Sequence, residues 1–462
     1  MSLLSCGLLA SCSVPETKFF DERDALKTVS VPVMTVSKVV VRGHAVSILR
    51  NPVTTTSKGV SMVKSRFQIA ADPLLSQIEM DEVYRNSHSI EDALTKIGMP
   101  EPIPGKVEYL IDGKAFFNDL ERTVKGAKRS VDTRVFIYDN DDVAVWYSDL
   151  LRSKGDKVRC RVLMDELGSI ASWWTPPATK MDHGFKSPES MYRYLTEGNK
   201  VEVRESKNPF LVTDHSKLFI VDQEVAYLGG MNVGREYRYE WHDMMVKVRG
   251  PVVTALQNDF DRAWILQGGW GDWQLPFHDY HSFRVYPRGG EYPIRILKTD
   301  AKSAQIRSAI LAAIRMSKKR VYIQNSYFTS DGLVRELKDA LARGVDVRMV
   351  FPEENDSKLL DKGNRDVAKQ LIDAGAKVYM YPEFTHVKAV VVDDWACVGS
   401  ANYDGLSMRI NEEINISYSN RRAVDALVSQ LFYKDFRVSK RVTPQMTQGW
   451  NNPILESVVD QL

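Results

Sequence analysis

The chain has 462 residues, two to three times the length of an ordinary domain, so it can bury one large core or two. With 44% hydrophobic and 26% charged residues it reads as a folded globular protein, which excludes the disordered, collagen-like and coiled-coil classes. Lys and Arg total 62 against 60 Asp and Glu, a net charge of +2 that argues against a dedicated nucleic-acid coat, and four cysteines are too few for a disulfide framework.

The N-terminus opens on the apolar stretch MSLLSCGLLASCS, with Cys6 and Cys12 inside it. Its end, Leu9-Ala10-Ser11-Cys12, is similar to a bacterial lipobox, where a signal peptide is cut and the cysteine lipidated, although no Lys or Arg precedes Cys12. Two outcomes stay open: a membrane-associated lipoprotein of the bacterial cell envelope, anchored through Cys12, or a frayed terminus on a cytoplasmic chain. Residues 13–105 mix Thr/Ser/Val-rich pieces (31–41 and 51–61) with one predicted helix, SIEDALTKIG, and carry no recognisable chemistry. No run reaches the ~18 apolar residues of a membrane-spanning helix.

Order improves beyond this lead-in. KRSVDTRVFIYD, VAVWYSDLLRSKG and VRCRVLMD follow a strand, helix, strand rhythm, and KKRVYIQNSYF, GLVRELKDALARG and VDVRMVFPE repeat it. The repetition predicts an α/β fold of two related halves with helices packed on sheets. The expected organisation is an N-terminal extension at 1–105, a first domain at 106–275, a linker at 276–290, a second domain at 291–440 and a tail at 441–462. Cys160 and Cys397 stand in apolar runs and are expected in the core. Trp173, Trp174 and the aromatic-rich GGWGDWQLPFHDYHSF either pack beneath their loops or meet a lipid surface or substrate channel.

The chemistry is concentrated in two near-identical strings, DHSKLFIVDQEVAYLGGMNVG and THVKAVVVDDWACVGSANYDG. Each supplies His-x-Lys, four apolar residues, Asp, and a Gly-Gly or Gly-Ser pair followed one residue later by Asn. On a β-strand, residues two apart share a face, so His215 with Lys217, and His386 with Lys388, are expected to project together. Asp222 and Asp393 fall at an odd offset from their histidines and are assigned to structural anchoring. Gly230 with Asn232, and Ser400 with Asn402, lie on turns where lysine and amide can bind phosphate oxygens. A histidine acting as nucleophile or acid needs its tautomer fixed by a carboxylate. Asp243 and Glu413 occupy corresponding places on the strand after each motif and are assigned that task. The other six histidines show no metal-ligand spacing, so neither a metal nor a cofactor is expected, and His242 is expected to point away from the site.

These duplicated strings resemble the phospholipase D (PLD) superfamily, with its repeated HxKxxxxD and G[GS]xN signature. Together with WHDMMVKVRGPVV, YIQNSYF and GSANYDGLSMRINEEINI they are most similar to its bacterial cardiolipin synthases and related phosphatidyltransferases. Gly230 departs from the serine that many members carry there, and the turn of the second motif is one residue shorter than that of the first. The resemblance implies two pseudo-symmetric PLD-like α/β halves, mixed sheets flanked by helices, and an active site at their interface that needs no dimer. It further implies a covalent phosphohistidine, with His215 as nucleophile and His386 as acid, the reverse assignment remaining open. The expected partners are membrane phospholipids and the membrane surface, and the expected reaction is phosphatidyl transfer or hydrolysis. A nuclease acting on DNA or RNA and a catalytically silent membrane-associated effector are the competing readings.

Overall fold

The computed structural model describes residues 33–70, 82–175, 177–277, 287–300 and 302–450. Cys6 and Cys12, most of the 276–290 linker and the end of the tail lie outside them. In the first half the strands are β1 (Ile103–Ile111), β2 (Ser130–Val135), β3 (Arg159–Asp165), β4 (Glu202–Ser206), β5 (Leu218–Val221), β6 (Val225–Gly229) and β7 (Met244–Arg249). In the second they are β8 (Tyr292–Asp300), β9 (Ser303–Ala304), β10 (Arg320–Gln324), β11 (Asp346–Pro352), β12 (Lys377–Tyr381), β13 (Ala389–Val392), β14 (Trp395–Gly399), β15 (Glu413–Tyr418) and β16 (Lys440–Arg441). The first half runs β1-β7-β6-β5-β2-β3-β4 across its sheet, and the second repeats that order as β8-β15-β14-β13-β10-β11-β12. The two orders meet where β1 pairs antiparallel with β8, so one sheet passes through both halves about a pseudo-two-fold axis.

Within each half, β2-β3-β4 and β10-β11-β12 are parallel, whereas the strands that follow each His-x-Lys are antiparallel. Parallel strands are joined by crossover helices and become covered on both faces, which is why all of β2 is buried even though Ser, Asp, Thr and Arg make up most of its sequence, SVDTRV. The helices are α1 (Val33–Arg50), α2 (Pro52–Ala70), α3 (Ile90–Lys96), α4 (Gly113–Gly126), α5 (Asp142–Lys154), α6 (Glu166–Ser172), α7 (Met191–Thr196), α8 (Val252–Leu266), α9 (Gln305–Met316), α10 (Asp331–Ala342), α11 (Lys358–Asp373), α12 (Arg421–Leu427) and α13 (Tyr433–Val438). Side-chain caps start several of them: Ser89 accepts from Asp92 N in α3, Asp141 from Ala144 N in α5 and Asp165 from Gly168 N in α6. Three apolar clusters result, one outside each half and a central one shared by α8, α12 and strands of both halves. Cys160 and Cys397 are buried in these clusters.

Asp222 and Asp393 end their apolar strands in turns of positive φ, 55° and 52°, a conformation Asp tolerates better than most residues. Each carboxylate gathers three backbone N–H groups: Lys128, Arg129 and Ser130 for Asp222, and Lys318, Lys319 and Arg320 for Asp393, at 2.7–3.0 Å. They tie the His-x-Lys hairpin to the start of β2 or β10. Asp222→Ala is expected to cost about 1.5–3 kcal/mol, the range for hydrogen bonds to a charged acceptor. Chemical denaturation of the variant checks it.

The lead-in differs most from its sequence reading. Beyond the expected helix α3, residues 33–70 form a two-helix hairpin, α1 and α2. Val and Thr are weak helix formers, so propensity gave little signal. Tertiary contacts hold it instead: His44 Nε2 accepts from Phe210 N at 3.0 Å, Asn51 Nδ2 donates to Leu266 O at 2.7 Å and Thr54 N to Asp272 at 2.8 Å.

His242 points away from the site, as expected, but as a buried strut. Its Nδ1 meets Asp112 at 2.6 Å, its Nε2 meets Asp435 at 3.0 Å, and its ring stacks on Tyr381 at 4.5 Å. Burial alone lowers this imidazolium, and the two carboxylates override it, raising the group to about 10. A raised value means that the stabilisation is complete below the unfolded histidine's ordinary pKa of about 6.5 and is lost as pH rises through about 10. His242→Ala strands Asp435 and is expected to cost about 3–5 kcal/mol, with a smaller deficit above pH 10 than at neutral pH. An equal loss of stability at both pH values would contradict the charged strut.

Candidate active site

The two His-x-Lys segments lie just ahead of β5 and β13 rather than within them. Their backbones instead pair with the opposite half through two isolated parallel bridges, Asp214 with Glu412 and His242 with Thr385. Across the first, His215 N donates to Glu412 O at 2.9 Å and Glu412 N to Thr213 O at 2.9 Å. Across the second, His386 N donates to His242 O at 2.7 Å and His242 N to Phe384 O at 3.1 Å. The residue after each bridging Glu412 or His242 is the candidate carboxylate, so this pairing delivers it to the other half's histidine. His215 Nδ1 meets Glu413 Oε1 at 2.8 Å, and His386 Nδ1 meets Asp243 Oδ2 at 2.7 Å.

The carboxylates are thus exchanged between halves, a relation that spacing within either half does not reveal. A carboxylate at Nδ1 holds the ring proton there and leaves Nε2 with the lone pair. Both imidazoles line one cavity of about 670 Å³, together with Asn232, Tyr237, Trp241 and residues of α6. Lys217 and Lys388 lie buried beneath, each Nζ donating to the carbonyl of its own histidine, at 2.6 and 2.7 Å. Lys388 Nζ also donates to Ser326 Oγ at 3.2 Å.

The turn residues differ between the halves. Ser400 Oγ donates to Glu413 Oε2 at 2.6 Å, so this hydroxyl is turned to the carboxylate that holds His215. At Gly230 a Cβ would stand 2.2 Å from Asp243 Oδ1, so glycine leaves the room that this carboxylate occupies. Asn232 Oδ1 accepts from Ile137 N at 3.0 Å. Asn402 is buried, and its Oδ1 has no hydrogen-bond partner among the described residues. Gly230→Ala must displace Asp243, and is expected to lower kcat by about 10–100-fold through His386 with little change in KM. Steady-state kinetics tests this, and an unchanged kcat would mean that the Asp243 position is not needed.

Aromatic rings wall the histidines. Phe136 lies 4.9 Å from the His215 ring and 5.2 Å from Lys217 Nζ, while Trp241 and Tyr237 lie 5.2 and 5.7 Å from His386. Below them Arg134 joins the halves, donating to Asp214 at 2.7 Å, Asp259 at 2.9 Å and Glu412 at 2.9 Å, with Lys58 of α2 also on Glu412. The sequence reading missed this knot. Its signal was the acidic residue directly before His215 and before Glu413, which bridging strands bring side by side. Among the described residues one group, Asp139, Asp141 and Glu236, has carboxylates close enough to share a cation, and it lies outside the residues singled out from sequence. Trp173 packs, its Nε1 donating to Tyr138 O at 2.9 Å, whereas Trp174 is exposed.

Burial sets the electrostatics. It pushes both imidazoles well below their usual range, with Lys217 and Lys388 adding to the effect. It lowers Lys217 to about 7 and Lys388 to about 8, and raises Asp243 to about 7 and Glu413 to about 8. An empty site therefore favours few charges. A phosphodiester anion entering the cavity above the lysines supplies the missing counter-charge and favours their protonated form.

The family model for the cardiolipin synthase PLD-like domain matches residues 120–264 and 310–435, which include both motifs. Cardiolipin synthase A of Pseudomonas putida is 31% identical over 373 residues, covering 78% of this chain and 74% of the relative. The cardiolipin synthase of Listeria innocua is 28% identical over 363 residues, covering 74% and 71%. The crystal structure of the phosphatidylserine synthase of Haemophilus influenzae superposes with a TM-score of 0.59 at 14% identity, covering 81% of this chain and 97% of that one, a likeness of fold. Two motif-bearing halves in one sheet, meeting at a shared pair of histidines, place this chain in the PLD-like family of the cardiolipin synthases.

Proposed function

We propose that the chain transfers phosphatidyl groups between phospholipid alcohols, as the names of its cardiolipin synthase relatives indicate for them. The observation that carries the chemistry is the exchanged pair of histidine–carboxylate contacts opening on one cavity. His215 Nε2 attacks phosphorus, forming an N–P bond as the bond from phosphorus to the leaving glycerol oxygen breaks. His386, which enters this step as the imidazolium favoured by the bound phosphodiester anion, gives its Nε2 proton to that oxygen and becomes neutral. An incoming alcohol then loses its proton to His386 and attacks phosphorus, which breaks the N–P bond and restores both side chains. Lys217 and Lys388 stabilise the charge on the phosphoryl oxygens, and the amides of Asn232, at the cavity wall, and of the buried Asn402 assist. With water as acceptor the same steps are hydrolysis.

The lysines predict a pH profile. In free enzyme they lose their protons between about pH 7 and 8, so kcat/KM is expected to fall across that window, while kcat holds to higher pH because bound phosphate keeps them charged. A kcat/KM flat to pH 9 would contradict the role. For the function itself, purified wild type and His215→Ala are assayed on labelled phosphatidylglycerol and on single-stranded DNA. Histidine-dependent formation of a diphosphatidyl product is the expected result. Turnover of DNA alone overturns the lipid reading, and no His215-dependent turnover of either overturns an enzymatic one.

A further inference from the structure

The hairpin α1–α2 is built inside out. On α1, Val41, Ala45, Ile48 and Leu49 share one helical face and are exposed, Leu49 by 78%, whereas the small residues Gly43 and Ser47 are buried. On α2, Val53 is 70% exposed and Val60 and Val63 follow on the solvent side, while Thr55 and the Asn51 just ahead of the helix are buried and Gly59 faces Phe210, whose ring a Cβ would meet at 2.8 Å. Water-facing helices have the opposite polarity. Against the hairpin's turn rests the segment 270–277, tied to it by the Asn51 and Thr54 bonds, and there Trp270, Trp273 and Phe277 are 74%, 63% and 87% exposed. More than half of the large exposed apolar side chains among the described residues fall on these two neighbouring elements.

The hairpin's charge is one-sided. Residues 33–70 contain Lys38, Arg42, Arg50, Lys64 and Arg66, besides the Lys58 that is paired with Glu412, and no Asp or Glu, in a chain whose net charge is only +2. Among the described residues no helix is long and apolar enough to cross a membrane. An apolar face on a basic, acid-free hairpin, with exposed aromatic residues beside it, suits the interface of an anionic bilayer. The face also lies next to the catalytic cavity: α1 touches α6, whose Gly168, Ala171 and Ser172 line that cavity, and Lys58 of α2 reaches Glu412 beside His215.

We propose that α1, α2 and the 270–277 turn form a docking face that seats the chain on anionic phospholipid bilayers beside the mouth of its active site. The inference deepens the phosphatidyl-transfer reading, since the substrates of that reaction reside in the surface being docked on. Full-length protein is sedimented with vesicles of phosphatidylcholine alone and of phosphatidylcholine with phosphatidylglycerol. Wild type is expected to partition to the anionic vesicles and to be released as salt rises. The combined variant Leu49→Glu, Val53→Glu and Trp270→Glu is expected to bind at least about tenfold more weakly, while turning over detergent-dispersed short-chain phosphatidylglycerol at near wild-type rate. Trp273→Ser with Phe277→Ser, confined to a surface turn, is expected to weaken binding part of the way and decides the matter if the triple variant does not fold. Unchanged vesicle binding by the folded variants overturns the docking face. So does a shift from dimer to monomer with binding unchanged, which would assign the face to a second copy. Absence of wild-type turnover on the short-chain substrate would overturn the transfer reading while leaving the vesicle result to judge the face.

Discussion

His386→Ala is expected to abolish turnover of phosphatidylglycerol, by about 10⁴-fold, yet to trap a phosphatidylated enzyme when the leaving group is made acidic. The glycerol oxygen is a poor leaving group and needs the proton that His386 carries, whereas a nitrophenolate leaves without one. With a nitrophenyl phosphodiester the first N–P bond therefore forms at His215 in the variant. The second step still lacks its base, because the incoming alcohol must lose a proton to attack. A burst of nitrophenolate and an intact mass raised by one phosphatidyl group are the expected readouts, and acid lability of the adduct identifies the N–P bond. His215→Ala is expected to give neither burst nor adduct. The opposite pattern, an adduct in His215→Ala alone, would exchange the roles of the two histidines, which their near-symmetric settings allow on geometry.

Glu413→Gln and Asp243→Asn are expected to lower kcat by about 10²–10⁴-fold with little effect on KM, the range in which a mis-set histidine tautomer falls. The amide can donate to Nδ1, which turns the ring proton to Nε2 and removes the lone pair that attacks phosphorus or accepts a proton. The exchanged pairing makes the two variants separable. Glu413 holds His215, so Glu413→Gln should slow formation of the adduct, whereas Asp243 holds His386, so Asp243→Asn should slow its release and let adduct build up with the nitrophenyl substrate. Single-turnover mass measurements distinguish them. Were each carboxylate to serve the histidine of its own half, the two patterns would be reversed. Ser400 adds a refinement, since its hydroxyl donates to Glu413 and Ser400→Ala is expected to reproduce a weaker form of the Glu413 effect.

Much of the fold was legible because it rests on periodicity. The segments SVDTRV, VRCRVLMD and GLVRELKDALA appear as β2, β3 and α10, and their repetition carries the two-half architecture. The hairpin α1–α2 was not legible. Its Thr, Ser and Val content lacks helical propensity, and its apolar face turns away from the protein, so the usual pairing of an apolar stripe with a core reads it wrongly. His242 was legible in direction and not in charge. Its partners Asp112 and Asp435 stand in different halves, and burial sets the value only once both are in place.

The sequence by itself singled out the residues to which the proposed chemistry is assigned. His215, Lys217, His386 and Lys388 recur with their turns and downstream carboxylates because a duplicated strand-turn-strand imposes the same local spacing twice. Spacing along one chain segment is a local quantity, and local quantities survive without a fold. Which carboxylate holds which histidine was decided only by tertiary structure, because the contacts run through the Asp214–Glu412 and His242–Thr385 bridges that join opposite halves. The same holds for the lowered lysines and raised carboxylates. Each depends on burial in the assembled site and on charged neighbours that the opposite half supplies.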